Sequence, residues 1–255
     1  IGQLNSPLEQ LTQFIHNAQD AKISLERLGE IHLKNDEEPA GSAKLFSLPF
    51  KHDIRVNELS FQYEGPHADF AIRNINLTIP EKKITAIVGT SGSGKTTLVK
   101  MMLGFYEPTE GSVKVGDTFL KSIDSRFWRQ NCGVVMQDGY IFSDTIARNI
   151  AMADDPVDVE KLLMAAEVAN IREFVESMPI SYNTKIGNEG HGLSQGQKQR
   201  ILIARAIYKD PAFIFFDEAT NALDANNELV IMHNLEKFFR ERTVVIVAHR
   251  LSTVK

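Results

Sequence analysis

The run Gly89-Thr-Ser-Gly-Ser-Gly-Lys-Thr-Thr97 constrains this chain more than any other segment. Gly89, Gly92 and Gly94 leave out the side chains that would block successive backbone N–H groups from converging on phosphate at a helix N-terminus. Thr90, Ser91, Ser93 and Thr97 complete the cradle. Lys95 supplies a cation for the β- and γ-phosphates, and the Thr96 hydroxyl is placed to ligate Mg²⁺. The context fits, because the apolar run Ile84–Val88 reads as a strand entering the loop and Leu98–Leu103 as a helix leaving it. A glycine-rich turn without a ligand is the plain alternative, and the motif alone marks only a broad class of nucleotide-binding proteins.

A second signal lies at Phe213-Ile-Phe-Phe-Asp-Glu218. A buried strand ending in two acids puts them at the C-terminal sheet edge, where α/β proteins bind their ligands. Asp217 would hold Mg²⁺ through water, while Glu218 would accept a proton from, or orient, a water attacking the γ-phosphate. Locally, the pair also reads as an N-cap for the turn Ala219–Leu223.

Three continuously apolar runs, Ile84–Val88, Phe213–Phe216 and Val244–Ala248, predict strands of a mainly parallel sheet covered on both faces. Alternating segments at Ile54–Tyr63 and Ser112–Val115 predict half-buried antiparallel strands. Helical patterns at Asp158–Met178, Gln195–Tyr208 and Asn226–Arg240 supply the covering layers. The expected class is α/β.

Ahead of this core, Leu4, Leu8, Leu11, Ile15, Ala18, Leu25 and Leu28 recur at spacings of three, four or seven, the apolar face of a long helix with Pro7 near its start. Polar Gln10, Gln13, Asp20 and Lys22 face elsewhere. Residues 34–50 carry turn formers and charges without periodicity, so they read as a linker with a domain boundary near Phe50. The net charge of −5 gives no footprint for nucleic acid. The one cysteine, Cys132, cannot form an internal disulfide and reads as a small buried apolar residue. No segment approaches the roughly 20 apolar residues that span a bilayer.

From Ile54 to Lys255 the chain resembles the ATP-binding cassette (ABC) family. The match rests on the Gly89–Thr97 loop, Gln137 in Val135-Met-Gln-Asp138, Leu193-Ser-Gln-Gly-Gln197 running into Lys198–Ala206, Asp217-Glu-Ala-Thr-Asn-Ala-Leu-Asp224, and His249 after an apolar strand. It implies a P-loop core with a mainly parallel sheet, an antiparallel β subdomain, and a helical subdomain over about 139–206. It also implies ATP and Mg²⁺ as ligands. On this resemblance Tyr63 stacks on adenine, though an ordinary strand aromatic would read the same. Gln137 reaches the metal and the attacking water, His249 bonds the γ-phosphate, and Asp224 lies across a dimer seam, although a helix cap explains it locally.

The same resemblance gives Ser194, Gln195, Gly196 and Gln197 to the opposite copy's ATP, so that two nucleotides join two chains face to face. Gln195 stands where the family has Gly. Because Ser194 and Gly196 remain, the clamp is expected to survive. The segments Gln137–Ile150 and Thr184–Gly190 look like exporters, and the N-terminal helix resembles the cytosolic end of an exporter's last membrane helix. Bacterial peptide and bacteriocin exporters with a cysteine-peptidase domain are the nearest likeness. The implied protein is a longer, membrane-bound homodimer, with this part at the cytoplasmic face and its further C-terminal strand and helix cut away. Its partners would be its own transmembrane domain, a second copy and a peptide cargo. Three rival readings stand beside it: a soluble cassette ATPase, a non-hydrolysing nucleotide switch, and a separate importer subunit.

Overall fold

The computed structural model describes residues 5–33, 37–38, 43–63, 68–152, 155–187, 190–219, 223 and 225–248. It separates into two compact units, one ending at Ala43 and one beginning at Lys44. The second therefore starts ahead of the boundary that composition places near Phe50. Leu45 already donates to the Ser122 carbonyl at 2.9 Å and bridges to Ile123.

The first unit is one helix, α1 (Asn5–His32), unbroken for 28 residues. The apolar spacing predicts it, and the Ser24 hydroxyl and the Lys22–Glu26 pair add only local support. Leu11, Ile15, Leu25 and Leu28 are 56, 48, 68 and 53% exposed, so the stripe does not pack within its own unit.

The second unit holds β1 (Ile54–Phe61), β2 (Ile72–Ile79), β3 (Ile84–Val88), α2 (Lys95–Met102), β4 (Glu110–Val115), β5 (Thr118–Phe119), α3 (Ser125–Gln130) and β6 (Cys132–Val135). It continues with β7 (Asp144–Thr145), α4 (Ile146–Ala151), α5 (Val159–Val168), α6 (Arg172–Glu176), β8 (Lys185–Ile186), α7 (Gln195–Tyr208), β9 (Phe213–Asp217), α8 (Ala225–Phe239) and β10 (Thr243–Ala248). Strands β2-β1-β4-β5 form an antiparallel sheet, and β3-β10-β9-β6 form a parallel one. The α/β class and both subdomains expected around the core are present, with β7–β8 and α4–α6 forming the helical part.

Strand β9 explains how the layers assemble. Successive side chains leave opposite faces of a strand. Phe213 and Phe215 enter a core shared with α2, Trp128 and the antiparallel sheet. Ile214 and Phe216 enter a second core shared with α4, α5, α7 and α8. Both faces are dry, which is why this run is apolar at every position rather than every other.

Three expectations are corrected. Strand β3 is not covered on both faces: it lies at the end of the described sheet, with Ile84 53% and Val88 52% exposed. The helix expected over Asp158–Met178 is two, because Asn170 takes a left-handed φ of 50° and the Ile171 N–H bonds back to the Ala166 carbonyl at 2.9 Å, closing α5. The alternation of β1 slips at Glu58 (φ 48°), where the pairing register shifts between Val56 and Leu59 and the buried side chains resume one residue out of phase. Among the described residues, no helix is long and apolar enough to cross a membrane.

Cys132 opens β6 with no exposure, and burial pushes its thiol well above the ordinary range. Only the thiolate reacts. A maleimide should therefore leave the native chain unlabelled and modify it once after denaturation. Full labelling of the native protein would contradict this packing.

Candidate functional site

The loop Gly89–Gly94 joins β3 to α2, and its shape needs glycine. Gly92 and Gly94 take φ of 76° and 87°. A Cβ at Gly94 would also lie 2.6 Å from Ile72 Cγ2 and 2.7 Å from the Ala71 carbonyl oxygen. Gly94 is the N-cap of α2 and supplies no side-chain cap, so the first N–H groups of the helix have no side-chain acceptor there.

Lys95 folds back over this loop. Its Nζ donates to the carbonyls of Gly89 at 3.0 Å and Thr90 at 2.7 Å and to Ser93 Oγ at 3.4 Å. A buried cation is thus held at the loop by neutral oxygens, with its charge left for an anion. One residue on, Thr96 Oγ1 donates to Asp217 Oδ2 at 2.6 Å, tying the start of α2 to the end of β9. Asp217 is fully buried, and its other oxygen, Oδ1, has no hydrogen-bond partner. This bond ties Asp217 to the start of α2 rather than to the turn that follows it, which disfavours the N-cap reading for Asp217.

The orphaned carboxylate oxygen tests the metal expectation. A hydroxyl and a carboxylate beside a phosphate-binding loop form the oxygen donor set that suits Mg²⁺, which takes few protein ligands and completes its shell with phosphate and water. An unpartnered buried oxygen is otherwise costly. The residues fit the ion.

An open cleft of about 410 Å³ runs past the loop. Ser91, Gly92, Gly94, Lys95, Thr96 and Thr97 line it together with Gln137, Glu218, Tyr63 and Ala71. Glu218 sits at φ 54°, a strained conformation for a non-glycine residue, with its N–H donating to Val247 O at 3.3 Å. The Tyr63 hydroxyl hydrogen-bonds Thr97 Oγ1 at 2.9 Å. Its ring packs edge-on against Phe61 (4.9 Å) and Tyr106 (5.4 Å), leaving it 49% exposed. Gly89, Thr90 and Ser93 accept from Lys95 and are not among the residues that line the cleft.

Ser194, Gln195, Gly196 and Gln197 stand elsewhere, at the start of α7 and outside the cleft. Ser194 Oγ accepts from the Gln197 N–H at 3.2 Å, and Gln197 Oε1 accepts from the Ser194 N–H at 2.8 Å, a reciprocal capping box. Ser194 and Gln195 are exposed, so the side chain at 195 meets no packing conflict. Asp224 and His249 lie outside the described residues. Sequence reading missed Ala71 and Tyr106, whose only signal was position: Ala71 precedes β2 and Tyr106 follows α2.

The profile of the ABC transporter family matches residues 72–221. The chain is 42% identical over 254 residues to the alpha-hemolysin translocation ATP-binding protein HlyB of Proteus vulgaris, covering 100% of this chain and 36% of the relative. It is 40% identical over 254 residues to the leukotoxin export ATP-binding protein LtxB of Aggregatibacter actinomycetemcomitans, again covering 36% of the relative. It spans about a third of the length of these curated relatives. A solved bacterial Atm1-family ABC exporter with ATP bound superposes with a TM-score of 0.82 at 30% identity, over 99% of this chain and 44% of that one. With a phosphate loop and a strained glutamate lining one cleft, and a family match across more than half its length, the chain belongs to the ABC transporter family as an ATP-binding domain.

Proposed function

We propose that the chain is the motor domain of an exporter in which two copies close face to face around two ATP-Mg²⁺. The observation that carries this is the convergence of Lys95, Thr96, Gln137 and Glu218 on one cleft, 123 positions apart in sequence at the extremes (218 − 95). Backbone N–H groups of the loop and the Lys95 ammonium take the β- and γ-phosphates, and the Tyr63 ring stacks on adenine. Thr96 and Asp217 hold Mg²⁺, which, when bound, draws charge off the phosphate oxygens. Gln137 and Glu218 flank the attacking water. As its oxygen bonds to the γ-phosphorus, Glu218 takes its proton and the bond to the β-phosphate oxygen breaks, releasing ADP and phosphate. His249 and Asp224 keep the γ-phosphate and dimer-seam roles that the resemblance assigns.

Ser194, Gln195, Gly196 and Gln197 lie on the surface and away from their own cleft, which supports their acting on the nucleotide of a second copy. Loss of the γ-phosphate removes part of what joins the copies. The unit that begins at Lys44 is the nucleotide-binding domain, and α1 continues the last membrane helix on the cytoplasmic side. A continuous helix with an unpacked apolar stripe supports that assignment. The relatives' names, alpha-hemolysin translocation and leukotoxin export, favour a peptide or protein cargo over a lipid or drug.

Removing the ammonium in Lys95→Ala takes away charge-assisted bonds, each about 1.5–3 kcal/mol, and should weaken ATP binding at least about tenfold in a fluorescent-nucleotide titration. Unchanged affinity would refute the phosphate-loop assignment. Glu218→Gln should keep ATP affinity and lose about 10²–10⁴-fold in turnover. Light scattering of that variant at saturating ATP-Mg²⁺ should show a dimer, and a persistent monomer would count against the paired arrangement.

A further inference from the structure

After β6 the chain passes Gln137 and crosses to β7 as an irregular strap. Its backbone polar groups need partners that no ladder supplies. Two side chains provide them. Asn149, on α4 and 1% exposed, accepts from Phe142 N at 2.8 Å through Oδ1. Its Nδ2 donates to the carbonyls of Phe142 (3.0 Å), Asp144 (3.3 Å) and Thr145 (3.0 Å).

Arg205, on α7, donates to the carbonyl of Tyr140 at 2.8 Å, the carbonyl of Asn149 at 2.7 Å and Asn149 Oδ1 at 3.2 Å. Its guanidinium also lies 5.5 Å from the Phe142 ring centroid. All three acceptors are neutral, and burial pushes the guanidinium pKa down to about 10, so it remains a cation at neutral pH. Only a rigid fork reaches these oxygens together, and a lysine does not.

One turn earlier on the same face of α7, Leu202 closes the contact. A Cβ on Gly139 would lie 2.2 Å from Leu202 Cδ1, so the strap rests directly on the helix. Tyr140, the residue Arg205 grips, is three positions beyond Gln137.

We infer that Arg205 and Asn149 are positioning residues for Gln137, fastening the strap to α7 so that the place of Gln137 in the cleft is set by the helix that begins at Ser194. The inference rests on the role proposed above for Gln137. It makes α7 a single rigid part with the exposed Ser194 motif at one end and the strap along its flank. A displacement of α7 at its N-terminus therefore moves Gln137 as well.

A double-mutant cycle in the full chain tests it. Arg205→Lys should lower kcat for ATP between about tenfold and a hundredfold, as a small misplacement does, with KM changed less than about twofold. In a Gln137→Ala background the same substitution should change kcat by less than about twofold, because the group it positions is gone. Equal losses in both backgrounds, or a raised KM with kcat unchanged, would overturn the proposal while leaving the role of Gln137 intact. If Gln137→Ala alone leaves kcat unchanged, that role fails and the proposal falls with it. Should Arg205→Lys not fold, Gly139→Ala lifts the strap by crowding Leu202: kcat should fall and Leu202→Val should restore it. Failure of that rescue counts against the inference.

Discussion

A carboxylate sealed away from water at the end of the innermost strand organises this molecule. Asp217 is reached from one core face through Phe215 and from the other through Phe216, and its single accepted bond comes from Thr96. That bond joins the two segments between which the cleft opens. It gives α2 a directional tie to β9, which apolar contacts, having no bond geometry, do not supply. The unpartnered Oδ1 keeps an unmet demand beside the phosphate loop, one that a hard cation would meet.

Strain is concentrated nearby. Glu218 holds a left-handed backbone that an L-residue adopts at a cost of about 1–2 kcal/mol, and the neighbouring loop places two glycines in the same region. Glu218 directly follows a heavily packed strand. Strand β9 is buried at every residue, and β10 locks the Glu218 N–H at Val247. A packed scaffold over-determines its edges, so an unfavourable conformation survives there.

Much of this was legible in the sequence because it is local. The Gly89–Thr97 run carries its own loop, cap and ligating hydroxyl, and the apolar runs at Phe213–Phe216 and Val244–Ala248 report burial on both sides. What escaped depends on single residues or on distant pairs. Asn170 ends a helix inside a run whose apolar spacing continues past it, since the break lies in one dihedral angle rather than in the pattern. Glu58 inserts one residue into β1 without altering its composition. Tyr106 and Ala71 join Tyr63 only through folding, and the Asn149–Arg205 contact spans 56 positions. For Ile84–Val88, an apolar run was read as covered on both sides, whereas the strand lies at the end of the described sheet.

The capping box at Ser194 leaves something in reserve. A hydroxyl offers two lone pairs and one hydrogen, and starting the helix consumes only a lone pair, taken by the Gln197 N–H. The hydrogen stays unspent on an outward-facing rotor, beside the first turn of a helix whose own dipole attracts anions. The proposed closing over an oxyanion would therefore demand no unwinding. The helix can keep its terminus intact while the same oxygen's proton is offered outward, so the proposed engagement and release would need no remaking of the fold.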